Sequence, residues 1–317
     1  MKQRTYLPCL EGTGRIRFNM TNDYLFRYIL QKHKKVLVGL VCSLLHLKPE
    51  EIKSITIMNP INLAEEITGK EFVMDVKVLL NDHTILNLEM QVTNQHNWPE
   101  RSLSYLCRSF DQLYRGQEYE EALPVHHIAF LNYTLFPEYP EFYAKYELLN
   151  IRNFYRYSSK FTLSVVSLNQ IELANEEDRA SGLDHWAGLF KAETWEEMKM
   201  LVKENEYLGE AAKAILEANA DWLVRERCIA RELAERREKT LERDIRLLKG
   251  EVNGLQGENT SLKGENTSLK GENTSLKGEV SGLQDENSSL KEQIEELQAR
   301  LAERKHNSDS AAGEFKE

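Results

Sequence analysis

Two runs of alternating residues between Phe72 and Thr93 constrain the fold of this chain more than any other feature. Apolar and polar side chains alternate along each run, and the polar Asn81-Asp82-His83 separates them, which is the pattern of a β-hairpin. Strand side chains repeat every two residues, so a three-residue turn at 81–83 would place Asp75 directly opposite Glu89. The hairpin therefore predicts two carboxylates on one face of a sheet.

Acids on an otherwise apolar sheet are costly to bury unless they hold a positive charge. Mg²⁺ prefers oxygen ligands, so we expect Asp75 and Glu89 to bind Mg²⁺ or another divalent cation, with the backbone carbonyl of Met90 as a further ligand. A bound Mg²⁺ suits phosphodiester hydrolysis, since it activates water and relieves charge on the phosphate. Gln91 would then orient the attacking water, and Lys77 would contact the scissile phosphate.

The remaining pattern up to residue 182 mixes helices and strands, which favours a three-layer α/β or α+β core. The predicted elements are a helix capped by Thr21 or Asn22, a second helix over 35–47, a strand near 55–58, a helix from Asn97 to near Gly116, and strands over 125–133 and 161–168. From about residue 183 to residue 240 the pattern is helical, which predicts a second, helical module.

Composition limits the function and the location that we expect. The formal net charge of −10 argues against a broad basic surface for nucleic acid, although the Glu-rich C-terminal segment carries much of it. The four cysteines lack metal-ligand spacing, so we predict no zinc site and no disulfide framework. The sequence shows no signal peptide and no membrane-spanning segment, so we expect a soluble, cytoplasmic protein without a membrane partner.

A heptad repeat dominates the C-terminal quarter, where GENTSLK occurs three times without change between Gly257 and Lys277. Leucine occupies every d position of the wider register: Leu241, Leu248, Leu255, Leu262, Leu269, Leu276, Leu283, Leu290 and Leu297. The a positions are Ile245, Val252, Asn259, Asn266, Asn273, Val280, Asn287, Ile294 and Leu301. Leucine at d with recurring asparagine at a favours a parallel two-stranded coiled coil, so we predict a homodimer.

The pattern D-x(13)-E-x-Q on a hairpin is similar to the PD-(D/E)xK nuclease core, with Gln91 in place of the usual last lysine. The segments NMTNDYLFRYIL, MDVKVLL, LNLEMQ and RSLSYLCRSFDQLYRGQEYEEALPVHHIAFLNYTLFPE resemble the recombination-promoting nuclease/putative transposase (Rpn) family over about residues 17–240. The resemblance implies a restriction-endonuclease-like core with Asp75, Glu89 and Gln91 as its core positions. It further implies a Mg²⁺-dependent DNA endonuclease that acts in DNA recombination or defence against phage.

The same resemblance implies roles outside the hairpin. Asp23, on the first helix, would be a further metal ligand, and Arg101 and Tyr105 would contact the DNA substrate. Members of the family also carry helical C-terminal portions that can be made separately from an internal start and inhibit the full protein. Met198 and Met200 are possible starts of such a product.

Several alternatives stay open at this point. Asp23 could be a first-turn helix residue stabilised by the helix dipole, and Lys77 could simply pair with Asp75. His126 and His127 lie on alternate faces of a strand, so they should not bind one ion together. The alternative function is a catalytically degenerate scaffold or inhibitory partner that dimerises through its helical C-terminal region.

These observations predict five segments: an N-terminal arm over 1–15, a nuclease domain over 16–182, a helical C-terminal module over 183–240, a coiled coil over 241–305 and a disordered tail over 306–317.

Overall fold

A computed structural model describes residues 11–58, 76–111, 113, 115–202 and 205–313, with side chains described up to residue 304. Asp75, the first of the two predicted hairpin acids, lies outside these residues. The chain divides after Arg237 into two compact units, each of which we describe by itself.

A six-stranded mixed sheet forms the centre of the first unit. In chain order its strands are β1 (Ile55–Ile57), β2 (Val76–Leu80), β3 (Thr84–Gln91), β4 (Val125–Leu131), β5 (Tyr143–Glu147) and β6 (Phe161–Ser167). Across the sheet they follow the order β1-β2-β3-β4-β6-β5. β3, β4 and β6 run parallel to one another, while β1, β2 and β5 pair antiparallel with their neighbours.

β2 and β3 form the predicted hairpin. Residues 81–83 make the turn, in which Asn81 and Asp82 adopt positive φ values of 51° and 58° that short polar side chains tolerate. Lys77 pairs with Asn87 and Leu80 with Thr84, so the predicted parity of the pairing is confirmed over the described part of the hairpin. This is the register that a position for Asp75 opposite Glu89 requires.

Helices cover both faces of the sheet, which confirms the predicted three-layer arrangement. In chain order they are α1 (Asp23–Lys32), α2 (Lys34–Leu45), α3 (Trp98–Phe110), α4 (Glu176–Ala180), α5 (Leu183–Lys191), α6 (Trp195–Leu201), α7 (Glu206–Ala220) and α8 (Trp222–Gly313). α3 packs on one face through Trp98 and Leu106. α1, α2, α5 and α7 bury their apolar side chains against the other face.

The helices after residue 183 share their core with the sheet. Phe26 of α1, Phe130 of β4 and Phe190 of α5 form one aromatic cluster, with ring centroids 5.2 to 5.7 Å apart. Because α5 and α7 belong to the same hydrophobic cluster as the strands, the first compact unit extends past the predicted domain boundary at residue 182 and ends at Arg237.

Of the two predicted caps, Asn22 is the one that caps α1, by accepting a hydrogen bond from the backbone of Leu25 at 3.1 Å. Two other local details differ from the sequence predictions. α3 ends at Phe110 instead of near Gly116: the backbone N–H of Asp111 donates the last helical hydrogen bond, to the carbonyl of Cys107, and Asp111 leaves the helical conformation with a ψ of 78°. The edge strand β5 was not predicted, since its short, polar sequence has no clear alternation.

The second unit comprises residues 238–317 and is described as helix up to Gly313. The helix thus continues into the segment 306–317 that the sequence predicts to be disordered. The leucines at the d positions from Leu241 to Leu297 each expose between 51% and 64% of their surface in this single chain. The helix therefore carries a long apolar stripe, and its pairing with a second copy stays a prediction.

Among the described residues, no helix combines the length and the apolar character needed to cross a membrane.

Candidate active site

Glu89 lies on the sheet face that α3 covers. The alternation of β3 directs Asn87, Glu89 and Gln91 to this face, and Lys77 of β2 reaches it opposite Asn87. On the other side of β3, Glu89 is level with Ala129 of β4, whose small side chain packs with Trp98 of α3. Only 3% of Glu89 is exposed, so its carboxylate is a nearly buried charge.

Arg101 of α3 neutralises that carboxylate. Its Nη2 atom donates a hydrogen bond to Oε1 of Glu89 at 2.8 Å, and 31% of the arginine side chain is exposed. Nη1 is 3.4 Å from Oε1 of Gln95, and the guanidinium lies 5.3 Å from the ring centroid of Tyr105. Burial opposes the charge of Arg101, but the Glu89 carboxylate, together with Tyr105 and Tyr133, outweighs it, so the pKa of Arg101 lies above its ordinary value. The guanidinium therefore stays charged beside Glu89.

His127 of β4 lies against the second carboxylate oxygen. Its Nε2 atom is 3.6 Å from Oε2 of Glu89, too long for a hydrogen bond, and its Nδ1 atom is 2.9 Å from Nδ2 of Asn87. With the Asn87 amide in this orientation, Nδ1 accepts a hydrogen bond, and the neutral ring carries its proton on the nitrogen that faces Glu89. Burial, followed by the charge of Arg101, lowers the pKa of His127 to about 4, so the ring is neutral at pH 7.

Aromatic rings hold His127 in place. The imidazole stacks on Trp98 with centroids 5.9 Å apart and on Tyr105 with centroids 6.1 Å apart, at interplanar angles of 24° and 12°. Tyr133 lies in the same electrostatic environment, where burial raises its pKa to about 12, Arg101 opposes the shift and Glu89 adds to it. Residues from β3, β4 and α3 thus enclose Glu89 from different sides.

Three other predicted site residues of the hairpin are described by the structure: Gln91, Lys77 and Met90. Nε2 of Gln91 donates to the carbonyl of Thr93 at 2.8 Å, so its amide is turned to its own chain. Lys77 shares the face of Glu89 and is partly buried. The side chain of Met90 is buried on the opposite face, and the role of its carbonyl stays a prediction.

Asp23, the predicted acid of α1, forms an ion pair with α8. Nε of Arg231 is 2.8 Å from one of its carboxylate oxygens and 2.6 Å from the other. Both oxygens therefore already face a cation, which gives Asp23 a structural role. Its role as a metal ligand stays a prediction.

A family model described as PD-(D/E)XK nuclease family transposase matches residues 20–243. The chain belongs to this family. Its mixed sheet, covering helices and long C-terminal helix fit a PD-(D/E)XK nuclease-like fold, and the match includes Glu89 and the residues around it. Neither a search of curated proteins nor a search of solved structures gave a match.

The family motif identifies Glu89 but not its two partners. Arg101 was predicted as a substrate contact, and its bond to Glu89 depends on how α3 lies on the sheet. His126 and His127 do lie on opposite faces, as predicted, and Nε2 of His126 is 2.8 Å from Oγ of Ser164. The approach of His127 to Glu89 follows from the parallel pairing of β4 with β3, for which the sequence gives no local signal.

Proposed function

We propose that this protein is a Mg²⁺-dependent DNA endonuclease that hydrolyses phosphodiester bonds and acts in DNA recombination or defence against phage. Its membership of a nuclease family supports the proposal. The observation that carries it is Glu89, a nearly buried carboxylate on the hairpin that bears the D-x(13)-E-x-Q motif, in the register that the motif needs. An acid kept at such a position needs a positive partner, and a divalent cation suits the chemistry of the family.

The donors around Glu89 fit a hard cation. Glu89 and Asp75 would hold it, with the carbonyl of Met90 as a neighbour, and all of these donate oxygen. Asn87 adds a buried Oδ1 atom that has no hydrogen-bond donor among the described residues. Asp23 would first have to release Arg231 before its carboxylate could bind the metal. Within the described part of the chain, no group of three His, Cys, Asp or Glu side chains could hold a metal ion, and Asp75 lies outside that part.

When bound, Mg²⁺ would supply an activated water and relieve negative charge on the phosphate. The residues of the chain would position the reactants. Gln91 would release the carbonyl of Thr93 and orient the attacking water, while Lys77 would contact the scissile phosphate. Arg101 and Tyr105 lie beside Glu89 on α3, where they would contact the DNA backbone.

Nicking of supercoiled plasmid DNA in the presence of Mg²⁺ tests this function. We expect the wild-type protein to nick, and Asp75→Ala and Glu89→Gln to lose most of the activity. Glu226→Ala removes an exposed acid of α8 and serves as the matched control. Equal activity in all four proteins would remove the catalytic assignment.

A catalytically degenerate scaffold or inhibitory partner is the alternative, and absence of nicking in every protein would favour it. Circular dichroism of each variant separates loss of chemistry from loss of folding, which matters because Arg101 would lose its partner in Glu89→Gln.

We also propose that the second unit forms a parallel two-stranded coiled coil with a second copy of this chain. The exposed leucine stripe needs a partner, and asparagines at a positions pair best across a dimer axis. Glu265 and Glu272 at g positions can pair with Lys270 and Lys277 at e positions of the partner. Deletion of residues 241–305 should lower the mass measured by light scattering, and an unchanged mass would locate dimerisation elsewhere.

A shorter C-terminal product could act as an inhibitory partner. A chain that starts at Met198 or Met200 would retain α7 without the sheet, and α7 buries six side chains against the rest of the first unit: Leu208, Ala211, Ala212, Ala214, Ile215 and Ala218. Such a product would need another chain to cover this face. Immunoblotting of a C-terminally tagged gene should reveal a short band that disappears when both methionines are replaced by leucine.

A further inference from the structure

The chain itself places a cation beside Glu89, and that cation is Arg101. We propose that Arg101 is a positioning residue that competes with the divalent cation for Glu89 and thereby sets the metal affinity of the site. The inference rests on the proposed function, because it requires Glu89 to be a metal ligand.

The burial of Glu89 explains why a competing cation is needed. Only 4% of its side-chain surface is exposed, and an ionised carboxylate at such a position is very unfavourable without a partner. The 2.8 Å bond from Nη2 of Arg101 is short and charge-assisted, so it supplies that partner. Arg101 thus offsets the cost of burying the Glu89 carboxylate.

The same bond opposes metal binding. Nη2 donates directly to Oε1 of Glu89, and a metal ion that binds this oxygen must displace or share the guanidinium. Two cations close to one carboxylate also repel each other, most strongly where water is excluded. The free energy of the Arg101–Glu89 bond is therefore subtracted from the free energy of metal binding.

The surroundings indicate which partner of Glu89 can move. His127, next to the other oxygen, is fully buried, bonded to Asn87 and stacked on two aromatic rings, so its own position is fixed. Arg101 is partly exposed, with 31% of its side chain open to solvent. Arg101 is therefore the exchangeable partner.

Arg101 has support at its position after exchange. The ring of Tyr105 lies 5.3 Å from its guanidinium carbon, and Gln95 is within 3.4 Å of Nη1. These contacts do not involve Glu89, so they can hold the guanidinium near the site once the carboxylate binds metal. Metal loading would then present Arg101 to a substrate phosphate.

Titration calorimetry with Mn²⁺ alone, without DNA, tests the competition. The proteins are the wild type, Arg101→Gln, Arg101→Lys, Glu89→Gln and the charge-matched surface control Arg152→Gln. We expect Arg101→Gln to bind Mn²⁺ about 10- to 100-fold more tightly than the wild type, since a charged hydrogen bond of this strength is no longer broken. Arg101→Lys should be intermediate, Arg152→Gln unchanged and Glu89→Gln without binding.

Thermal melting provides a second readout on the same proteins. Without metal, Arg101→Gln should melt at a lower temperature than the wild type, because Glu89 is left buried without this partner. Saturating Mn²⁺ should raise its melting temperature by more than it raises that of the wild type. If Arg101→Gln is unfolded without metal, recovery of its near-ultraviolet circular dichroism on adding Mn²⁺ is the expected result.

The outcomes distinguish a failure of the competition between Arg101 and the metal from a failure of metal binding at Glu89. Wild-type binding that depends on Glu89, together with equal or weaker binding by both Arg101 variants, would overturn the competition and leave the metal site intact. Failure of Arg101→Gln to refold with Mn²⁺, while Arg101→Lys binds no more tightly than the wild type, would also overturn it. Absence of Glu89-dependent binding in the wild type and in both Arg101 variants would contradict the metal-dependent function itself.

Discussion

Asp23 of α1 and Arg231 of α8 form a buried ion pair across 208 residues of sequence. Their side chains are 5% and 15% exposed, and Nε of Arg231 contacts both carboxylate oxygens. The pair joins the first helix of the chain to residues near the end of the first compact unit. Because both side chains are largely shielded from water, removal of one costs the other its closest partner, and the 3.8 Å contact of Arg231 with Glu235 is the longer of its two ion pairs.

Asp23→Asn and Arg231→Met should each lower the free energy of unfolding by about 3 kcal/mol, measured by urea denaturation. The double variant should recover much of this loss, since it leaves no single buried charge. Arg236→Met is the control, because its 3.8 Å contact with Glu232 is exposed and worth less than about 1 kcal/mol.

A metal titration of the same variants separates the two roles of Asp23. If Asp23 is a metal ligand, Asp23→Asn loses affinity for Mn²⁺ while Arg231→Met retains or gains it. Equal Mn²⁺ affinity in the two variants would leave Asp23 with the structural role alone.

Gly39 tests the packing of α7 on the nuclease core. A Cβ atom added at Gly39 of α2 would lie 2.9 Å from Cδ1 of Tyr207 and still closer to its Cβ atom, which the α7 backbone fixes. Gly39→Ala should therefore lower the free energy of unfolding by about 1–3 kcal/mol, although alanine normally favours a helix. Gly250→Ala, with nothing within 4 Å among the described residues, should stabilise its helix, and a stabilising Gly39→Ala would contradict the close packing.

The sequence was informative where the structure depends on neighbouring residues. The alternation of β2 and β3 predicted the hairpin, its three-residue turn and the face that carries Lys77 and Glu89, and all of these are observed. Asn22 was likewise one of two predicted caps of α1. These features follow from local periodicity and capping, which one sequence displays directly.

Contacts between distant elements could not be predicted in this way. The bond from Arg101 to Glu89 needs the placement of α3 on the sheet, and the approach of His127 needs the register of two parallel strands. The pair of Asp23 with Arg231 needs the whole first unit to fold. Even so, Glu89, the acid beside Arg101 and His127, was identified from its strand pattern.

His126 should make stability depend on pH. Burial, and then the charges of Lys145 and His127, lower its pKa from 6.5 to about 3, and its Nε2 atom is 2.8 Å from Oγ of Ser164. Below pH 6.5, His126 binds a proton in the unfolded chain, whereas in the folded protein it stays neutral until the pH approaches 3. The stability contribution is therefore complete above pH 6.5 and is lost as the pH falls toward 3, by about 1.4 kcal/mol for each pH unit.

Urea denaturation between about pH 7 and about pH 5 measures this slope. His126→Gln should reduce the slope of stability against pH by the contribution of one titrating group. The remaining slope comes from His127 and other groups. A slope in His126→Gln equal to that of the wild type would mean that His126 titrates normally in the folded protein.

Asn266 tests the interface along the second unit. It occupies an a position of the central repeats, where an asparagine weakens a coiled coil but specifies two strands. In the full chain, Asn266→Val should lower the concentration at which the dimer dissociates and should admit trimers, both measured by analytical ultracentrifugation. Gly264→Ala, at an outward f position, should raise helix stability without changing the number of strands. If Asn266→Val changes neither dissociation nor mass, the a positions do not lie in an interface, and the exposed leucines need another partner.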